Sequence, residues 1–246
     1  MTTVEDILYR EQLRGKKFMM GVSPWFFTNL PQWGKNWYCS SESLWYDRWK
    51  QVLEVMPDFV QIITWNDFGE SSYISDIRPS KVVQGAEKYV HGHCHAAFRA
   101  VLPYLIAAYK AGRAEVDWPG EDTAIAWYRT VPAHEFEQEG TVWGQGGHIH
   151  ATHCVKDVVS VMAVTRGSAL ITLTIGDFCR MTLETRSRSP LSYFEVPFDS
   201  HAVGPVVLAL NGKATTGPAI RRGGEEDAEN LPSLNAVAIQ VQGGVQ

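Results

Sequence analysis

The apolar positions of this chain change their period part-way along. Up to about residue 130 they come at helical spacing or in short continuous runs; beyond residue 155 they alternate. Residues 4–14 place Ile7, Leu8 and Leu13 on one side, which predicts a short amphipathic helix. Residues 16–22 read as a strand. The chain from Ser23 to Ser43 then reads as a long aromatic loop holding Trp33, Trp37 and Tyr38. Loops of that length in a compact domain are usually functional or disordered, and the tryptophan content argues against disorder. A helix is expected over 44–55, with Ser43 as N-cap and Pro57 as its stop. Residues 59–63 are an apolar run rich in β-branched side chains, the mark of a buried strand. Ala96, Ala97, Val101, Leu102, Leu105 and Ile106 predict a helix over 95–111, ended by Gly112 and kinked near Pro103. Residues 123–128 form a third apolar run. Strand, helix, strand, helix, strand predicts a parallel α/β sheet or barrel.

The second half reads differently. Residues 134–154 carry Gly, His and Glu and read as a linker or irregular hairpin. Alternating runs follow at 158–164, 169–175, 181–185, 193–196, 206–210 and 237–241, with Asn211-Gly212 as a strong hairpin turn. Residues 221–233 read as a charged surface loop. The fold class expected is therefore α/β plus all-β, with an α/β part at 1–133, a linker at 134–154 and an antiparallel β-sandwich at 155–246.

Composition narrows the function. The chain has 246 residues, 45% of them apolar, and a formal net charge of −5. The largest basic cluster is Arg221-Arg222, so nucleic acid is not an expected partner. No apolar run reaches the ~20 residues of a membrane helix, and residues 1–6 show no apolar core of a secretory signal. Nine Trp, nine Tyr and ten Phe stand out. Trp25, Trp33, Trp37 and Trp45 lie among polar neighbours, as in a carbohydrate cleft, although core packing is the commoner use of any single tryptophan. The four cysteines form no CxxC pair; one disulfide is open to them, Cys154–Cys179 among the pairings, and spacing does not decide it.

The candidate chemistry sits where the strand at 59–63 breaks into Thr64-Trp65-Asn66-Asp67-Phe68-Gly69-Glu70-Ser71. In parallel α/β folds, reactive groups stand at the C-terminal ends of strands. Two carboxylates three residues apart, beside Trp65, Phe68 and Tyr73, suit glycoside hydrolysis, which uses a carboxyl pair while rings stack on sugar faces. The plainer alternative makes Asp67 an N-cap. Two histidine groups, His91/His93/His95 around Cys94 and His148/His150/His153 beside Cys154, could ligate zinc. Their spacing matches no closed site, and no metal or other cofactor is expected.

Five segments occur in a specific order: Ser23-Pro24-Trp25-Phe26, Trp33-Gly34-Lys35-Asn36-Trp37, Leu44-Trp45-Tyr46-Asp47-Arg48-Trp49, Ile63 to Ser71, and Tyr89-Val90-His91-Gly92. Together they resemble the fungal α-1,3-glucanases, or mutanases, of glycoside hydrolase family 71, strongly over residues 4–130 and more loosely beyond. The resemblance implies a (β/α)8 barrel followed by a β-sandwich, and endo-type hydrolysis of α-1,3-glucan in fungal cell walls with inversion. It places the family's acidic pair on Asp67 and Glu70. A full barrel takes about 250 residues, so the chain is expected to be the C-terminal part of one, about three βα units, lacking five strands and an early acidic residue. It also implies a secreted, cell-wall location.

Within that frame Glu70 is read as proton donor and Asp67 as base or substrate positioner, the roles being exchangeable. Trp25, Trp65 and Tyr73 are candidates for stacking on sugar; Asn66, Ser71 and His91 for binding its hydroxyls. Trp45 and Trp49, on a predicted helix, are read as core. The expected partner is α-1,3-glucan, with self-association through the open half-barrel. A non-catalytic glucan-binding remnant and a zinc hydrolase are the alternatives.

Overall fold

The computed structural model describes residues 2–136, 141–144, 148–177, 179–186, 188–199, 202–222 and 233–243. Helix α1 (Val4–Gln12) buries none of its side chains. It is tied to the body by Arg10, which donates to the Val55 carbonyl at 2.8 Å, and by Asp6, which accepts from the Arg48 guanidinium at 2.8 Å. After β1 (Met19–Val22), the expected aromatic loop is instead a hairpin, β2 (Phe27–Leu30) paired antiparallel with β3 (Lys35–Tyr38). The turn between them closes on Gly34 at φ 64°, a left-handed conformation that glycine adopts without a Cβ clash.

Helix α2 (Leu44–Val55) buries Trp45, Trp49 and Val52 at helical spacing. Ser43 stands at its N-cap position but does not cap: its hydroxyl donates to Asp47 at 2.6 Å. The helix ends at left-handed Met56, just before Pro57. Strand β4 (Phe59–Ile62) then returns beside β1 in parallel, Met19 opposite Phe59 and Val22 opposite Ile62. After the one-turn helix α3 (Glu87–Val90), the helix expected over 95–111 divides. A 3-10 turn spans Ala96–Val101, and α4 (Leu102–Lys110) follows. Pro103 lies in the first turn of α4, where an N–H would have no intrahelical acceptor. The proline starts the α-helix; it does not kink a continuous one.

The remaining strands are β5 (Thr123–Arg129), β6 (Val142–Trp143), β7 (Val158–Val164), β8 (Leu170–Ile175), β9 (Cys179–Glu184), β10 (Leu191–Pro197), β11 (Gly204–Leu210), β12 (Lys213–Ile220) and β13 (Ala236–Gln242). Strand β5 corrects the sequence reading of a third parallel unit. It runs antiparallel between β13 and β7, in a sheet ordered β10-β7-β5-β13. Its apolar run resembles a parallel strand because every residue of β5 is buried, and so is every residue of β7. One face, with Ala124, Ala126, Val159 and Val161, packs on Ile171, Leu173, Val206 and Leu208 of the second sheet, ordered β12-β11-β8-β9. The opposite face, with Ile125, Trp127 and Met162, joins an aromatic core that includes Trp25, Trp45, Tyr73 and Phe98.

Among the described residues no sheet closes into a barrel; the architecture is a set of helices and strands followed by antiparallel sheets. The segment read as a linker supplies β6, which adds to β3 in parallel. Asn211 and Gly212, at φ 50° and 77°, make the expected hairpin between β11 and β12. Strand β12 escaped the sequence reading because it is a half-exposed edge holding Gly217 and Pro218, residues that edges tolerate. Gly217 is required there: a Cβ would lie 2.4 Å from the Tyr128 hydroxyl, which donates to the Pro218 carbonyl at 2.7 Å. All four cysteines are free, so the Cys154–Cys179 pairing does not form. Among the described residues no helix is long and apolar enough to cross a membrane.

Candidate active site

Where β4 ends, residues 64–75 leave the parallel pair and return as a laced excursion. At its base Thr64 N–H donates to the Ser72 carbonyl at 2.7 Å and Ser75 N–H to the Trp65 carbonyl at 2.9 Å. At its tip Asp67 N–H donates to the Thr64 hydroxyl at 2.8 Å, and Asp67 Oδ1 accepts from Glu70 N–H at 3.1 Å. Asp67 therefore closes a turn and not, as the plainer sequence reading held, the start of a helix, while its side chain stays half-buried at the surface. The tip is pinned from outside. Phe27 N–H donates to the Glu70 carbonyl at 3.2 Å, and the buried Tyr89 hydroxyl donates to the Gly69 carbonyl at 2.7 Å.

The hairpin β2–β3 forms the opposite wall. Lys35 Nζ lies 2.7 Å from Glu70 Oε1, both side chains about one-third exposed. Trp33, on the hairpin turn, is 57% exposed. With Asn66, Asp67 and Lys81 these residues line a cleft of about 240 Å³. The Asp67 carboxyl is pushed above its ordinary range, first by burial and then by the charge of Glu70. Lys35 is pushed up chiefly by its hydrogen bond to Glu70. The cleft thus offers one carboxyl that holds its proton to higher pH than an ordinary aspartate and one carboxylate paired with a cation.

The candidate residues divide sharply. Asp67, Glu70 and Asn66 share the cleft, and Trp65 is 58% exposed with Arg99 over its ring at 5.7 Å. Trp25 and Tyr73 do not offer a stacking face. Trp25 is 1% exposed and donates Nε1–H to the Leu234 carbonyl at 2.9 Å. Tyr73 is fully buried, stacked on His95 at 4.2 Å, and its hydroxyl donates to the His93 carbonyl. Both are corrected from sugar platforms to core residues, because the aromatic layer facing β5 encloses them. Ser71 is also buried, at φ 57°, and its hydroxyl has no hydrogen-bond partner among the described residues. It turns inward and is not available to a sugar. His91 is exposed and does not line the cleft.

Lys35 and Lys81 line the cleft without a sequence signal of their own, and Trp33 lines it among several tryptophans that suited a sugar cleft equally well. The Gly34 turn folds Trp33 and Lys35 into one hairpin end. The alternating histidines point in opposite directions, His91 outward and His93 and His95 inward. Among the described residues no group of three or more His, Cys, Asp or Glu is arranged to hold a metal ion.

A family model described as Glycosyl hydrolase family 71 matches residues 1–241. "Glucan endo-1,3-alpha-glucosidase agn1" of Schizosaccharomyces pombe is 33% identical over 227 residues, covering 89% of this chain and 50% of that protein. "Mutanase Pc12g07500" of Penicillium rubens is 39% identical over 132 residues, covering 54% of this chain and 29% of that protein. "Ascus wall endo-1,3-alpha-glucanase" of Schizosaccharomyces pombe is 36% identical over 112 residues, 43% of this chain and 25% of that protein. The matched region thus spans half or less of each relative's length. No solved structure matches.

Proposed function

Because the chain belongs to glycosyl hydrolase family 71, we propose that it supplies the acidic pair for hydrolysis of α-1,3-glucan at the cleft holding Asp67 and Glu70. The observation that carries the reading is the two-carboxyl cleft itself, with Trp33 on one wall and Trp65 beside the acidic loop. The names of the relatives, a glucan endo-1,3-alpha-glucosidase and a mutanase among them, supply the substrate class. A cell-wall setting belongs to the same proposal, supported by the relative named for the ascus wall.

The electrostatics favour exchanging the roles read from the sequence. Asp67, whose carboxyl is raised by burial, is the proton donor to the departing glycosidic oxygen. Glu70, held against Lys35, is the carboxylate that takes a proton from the attacking water. The water oxygen bonds the anomeric carbon as the glycosidic bond breaks, giving inversion when the carboxyls stand ~6.5–9.5 Å apart. We read β1, α2 and β4 as the part of a (β/α)8 barrel that carries this loop, and the two facing antiparallel sheets as the β-sandwich behind it. The apolar Met19, Phe59 and Ile63 exposed on the open parallel pair support self-association there, which sedimentation at increasing concentration tests.

The test is release of reducing sugar from insoluble α-1,3-glucan by the unaltered chain, Asp67→Asn and Glu70→Gln. The expected result is hydrolysis by the unaltered chain and a loss on the order of 10²–10⁴-fold in each variant. With Asp67 as acid, the rate falls as pH rises through its elevated range. Full activity in both variants would overturn the assignment. A second reading, glucan binding without hydrolysis, is favoured by the exposed rings of Trp33 and Trp65, which would hold a sugar chain whether or not it is cleaved. Folded chain that binds glucan and releases no sugar would establish it.

A further inference from the structure

A second cleft, of about 480 Å³, lies between the 3-10 turn Ala96–Val101 and the edge strand β13. Its origin is in the strand pattern. Ala238, Gln240 and Gln242 share one face of β13, since side chains two apart point the same way. At Ala238 that face is covered by the aromatic core; at Gln240 and Gln242 the cover stops and the residues become exposed amides. The floor is built of small side chains, Ala96, Ala97 and Ala100. Opposite the glutamines stand Asp76 and Arg99, paired at 3.0 Å.

The result is a shallow floor with a rim of two amides, a carboxylate and a guanidinium. Such a rim has both donors and acceptors and no net charge. Vicinal hydroxyls, each a donor and an acceptor, match it; a phosphate would be repelled by the carboxylate of Asp76 and a cation by the guanidinium of Arg99. Arg99 also connects this cleft to the acidic one. It sits over the ring of exposed Trp65, two residues before Asp67. The Asp76 pair fixes the guanidinium in that position.

We infer that this cleft is a remote sugar-binding subsite, in which Gln240, Gln242, Asp76 and Arg99 hydrogen-bond glucose units of a chain that crosses Trp65 from the acidic cleft. This rests on the glucan-hydrolase reading above. The glutamines are exposed on a formed strand, so replacing them leaves the core untouched.

The experiment measures calorimetric binding of an α-1,3-linked glucotetraose to the Glu70→Gln chain, with and without Gln240→Ala/Gln242→Ala. Hydrogen–deuterium exchange of the Glu70→Gln chain with the tetraose runs beside it. The expected results are binding weakened about 5–30-fold by the double replacement, from two hydrogen bonds of about 0.5–1 kcal/mol each, and protection of residues 94–100 and 238–242. Unchanged affinity with no protection there overturns the subsite and leaves the hydrolase reading standing. Protection confined to residues 33–35 and 66–70 does the same. No binding of the tetraose by any form overturns both. If the double variant fails to fold, the exchange result on the Glu70→Gln chain decides alone.

Discussion

Glu42 and Glu70 carry the same carboxylate into opposite surroundings. Glu42 is 5% exposed. Its carboxylate accepts from the Tyr38 hydroxyl, from Ser41 N–H at 3.1 Å and from Lys156 N–H at 3.2 Å. Its main-chain carbonyl accepts from Trp127 Nε1–H at 2.9 Å, the Ser160 hydroxyl at 2.7 Å and the Tyr193 hydroxyl at 3.3 Å. One residue thus ties the β2–β3 hairpin to β5, β7 and β10. Arg129 acts beside it, 2% exposed, donating to Asp157 and to the Lys156 carbonyl, each at 2.7 Å. Glu70 instead reaches an open cleft and meets one flexible lysine. A carboxylate surrounded by fixed donors is a fastening, since no substrate can reach it. One that faces solvent across a cleft keeps its lone pairs for chemistry.

The largest test of this contrast is Glu42→Ala. It removes the acceptor of two buried donors, the Tyr38 hydroxyl and Ser41 N–H, and of the part-buried Lys156 N–H, and an expected loss of ~3–5 kcal/mol in urea unfolding follows from leaving them unpaired. Glu70→Ala should cost less than ~1 kcal/mol, because its lysine pair is exposed. Similar losses at both sites would erase the distinction.

The enclosed region also has a pH limit that the cleft does not share. His95 is buried, its ring nitrogens facing the Tyr73 and Ala236 carbonyls, and burial holds it down at about 4, against 6.5 for a free imidazole. In that window the unfolded chain binds the proton and the folded chain does not. The contribution is therefore fully present above about 6.5 and is lost as pH falls toward 4. The shift corresponds to ~3 kcal/mol. Denaturant midpoints measured across that range should fall in the unaltered chain and flatten in His95→Gln; a profile flat in both would remove His95 as the cause.

At the cleft the expected effects are smaller. Trp33→Ala should weaken oligosaccharide binding about 3–10-fold, the loss of one stacking face. It should leave the thermal midpoint nearly unmoved, since the ring is exposed. A large fall in midpoint with unchanged binding would assign Trp33 to packing.

The smallest effect is on stability at Asp67. A carboxyl raised on folding favours the folded state at low pH and loses that contribution as pH rises through its folded value. Asp67→Asn should therefore raise the melting temperature at neutral pH and lose that advantage in acid. Equal shifts at both extremes would mean that the change acts through the turn that Asp67 caps.

The aromatic residues show where sequence reasoning stops. Trp25 and Trp33 lie eight positions apart, both among polar neighbours, and both suit a sugar cleft. One is sealed under Leu234, more than two hundred residues away, and the other stands in solvent. Trp45 and Trp49 were legible as core because a helix gives its own period. Loop residues have no period, so only the packing of distant segments decides which ring remains exposed. Strand β5 failed in a related way: a continuous apolar run states that both faces are covered, and does not state by what.

Local chemistry was enough to set helix α2, the later part of the helix expected over 95–111, the strands of the second half other than β12, the Asn211-Gly212 hairpin and the two carboxylates after β4. Each of these depends on residues within a few positions of one another, through helical or strand period, turn conformation and side-chain type. The tertiary structure alone decided that β5 runs antiparallel, that Glu42 is a fastening, that Tyr73 and Ser71 turn inward, and that Lys35 reaches Glu70. Those outcomes depend on burial and charge proximity between segments far apart in the chain, and no local pattern encodes the distance between them.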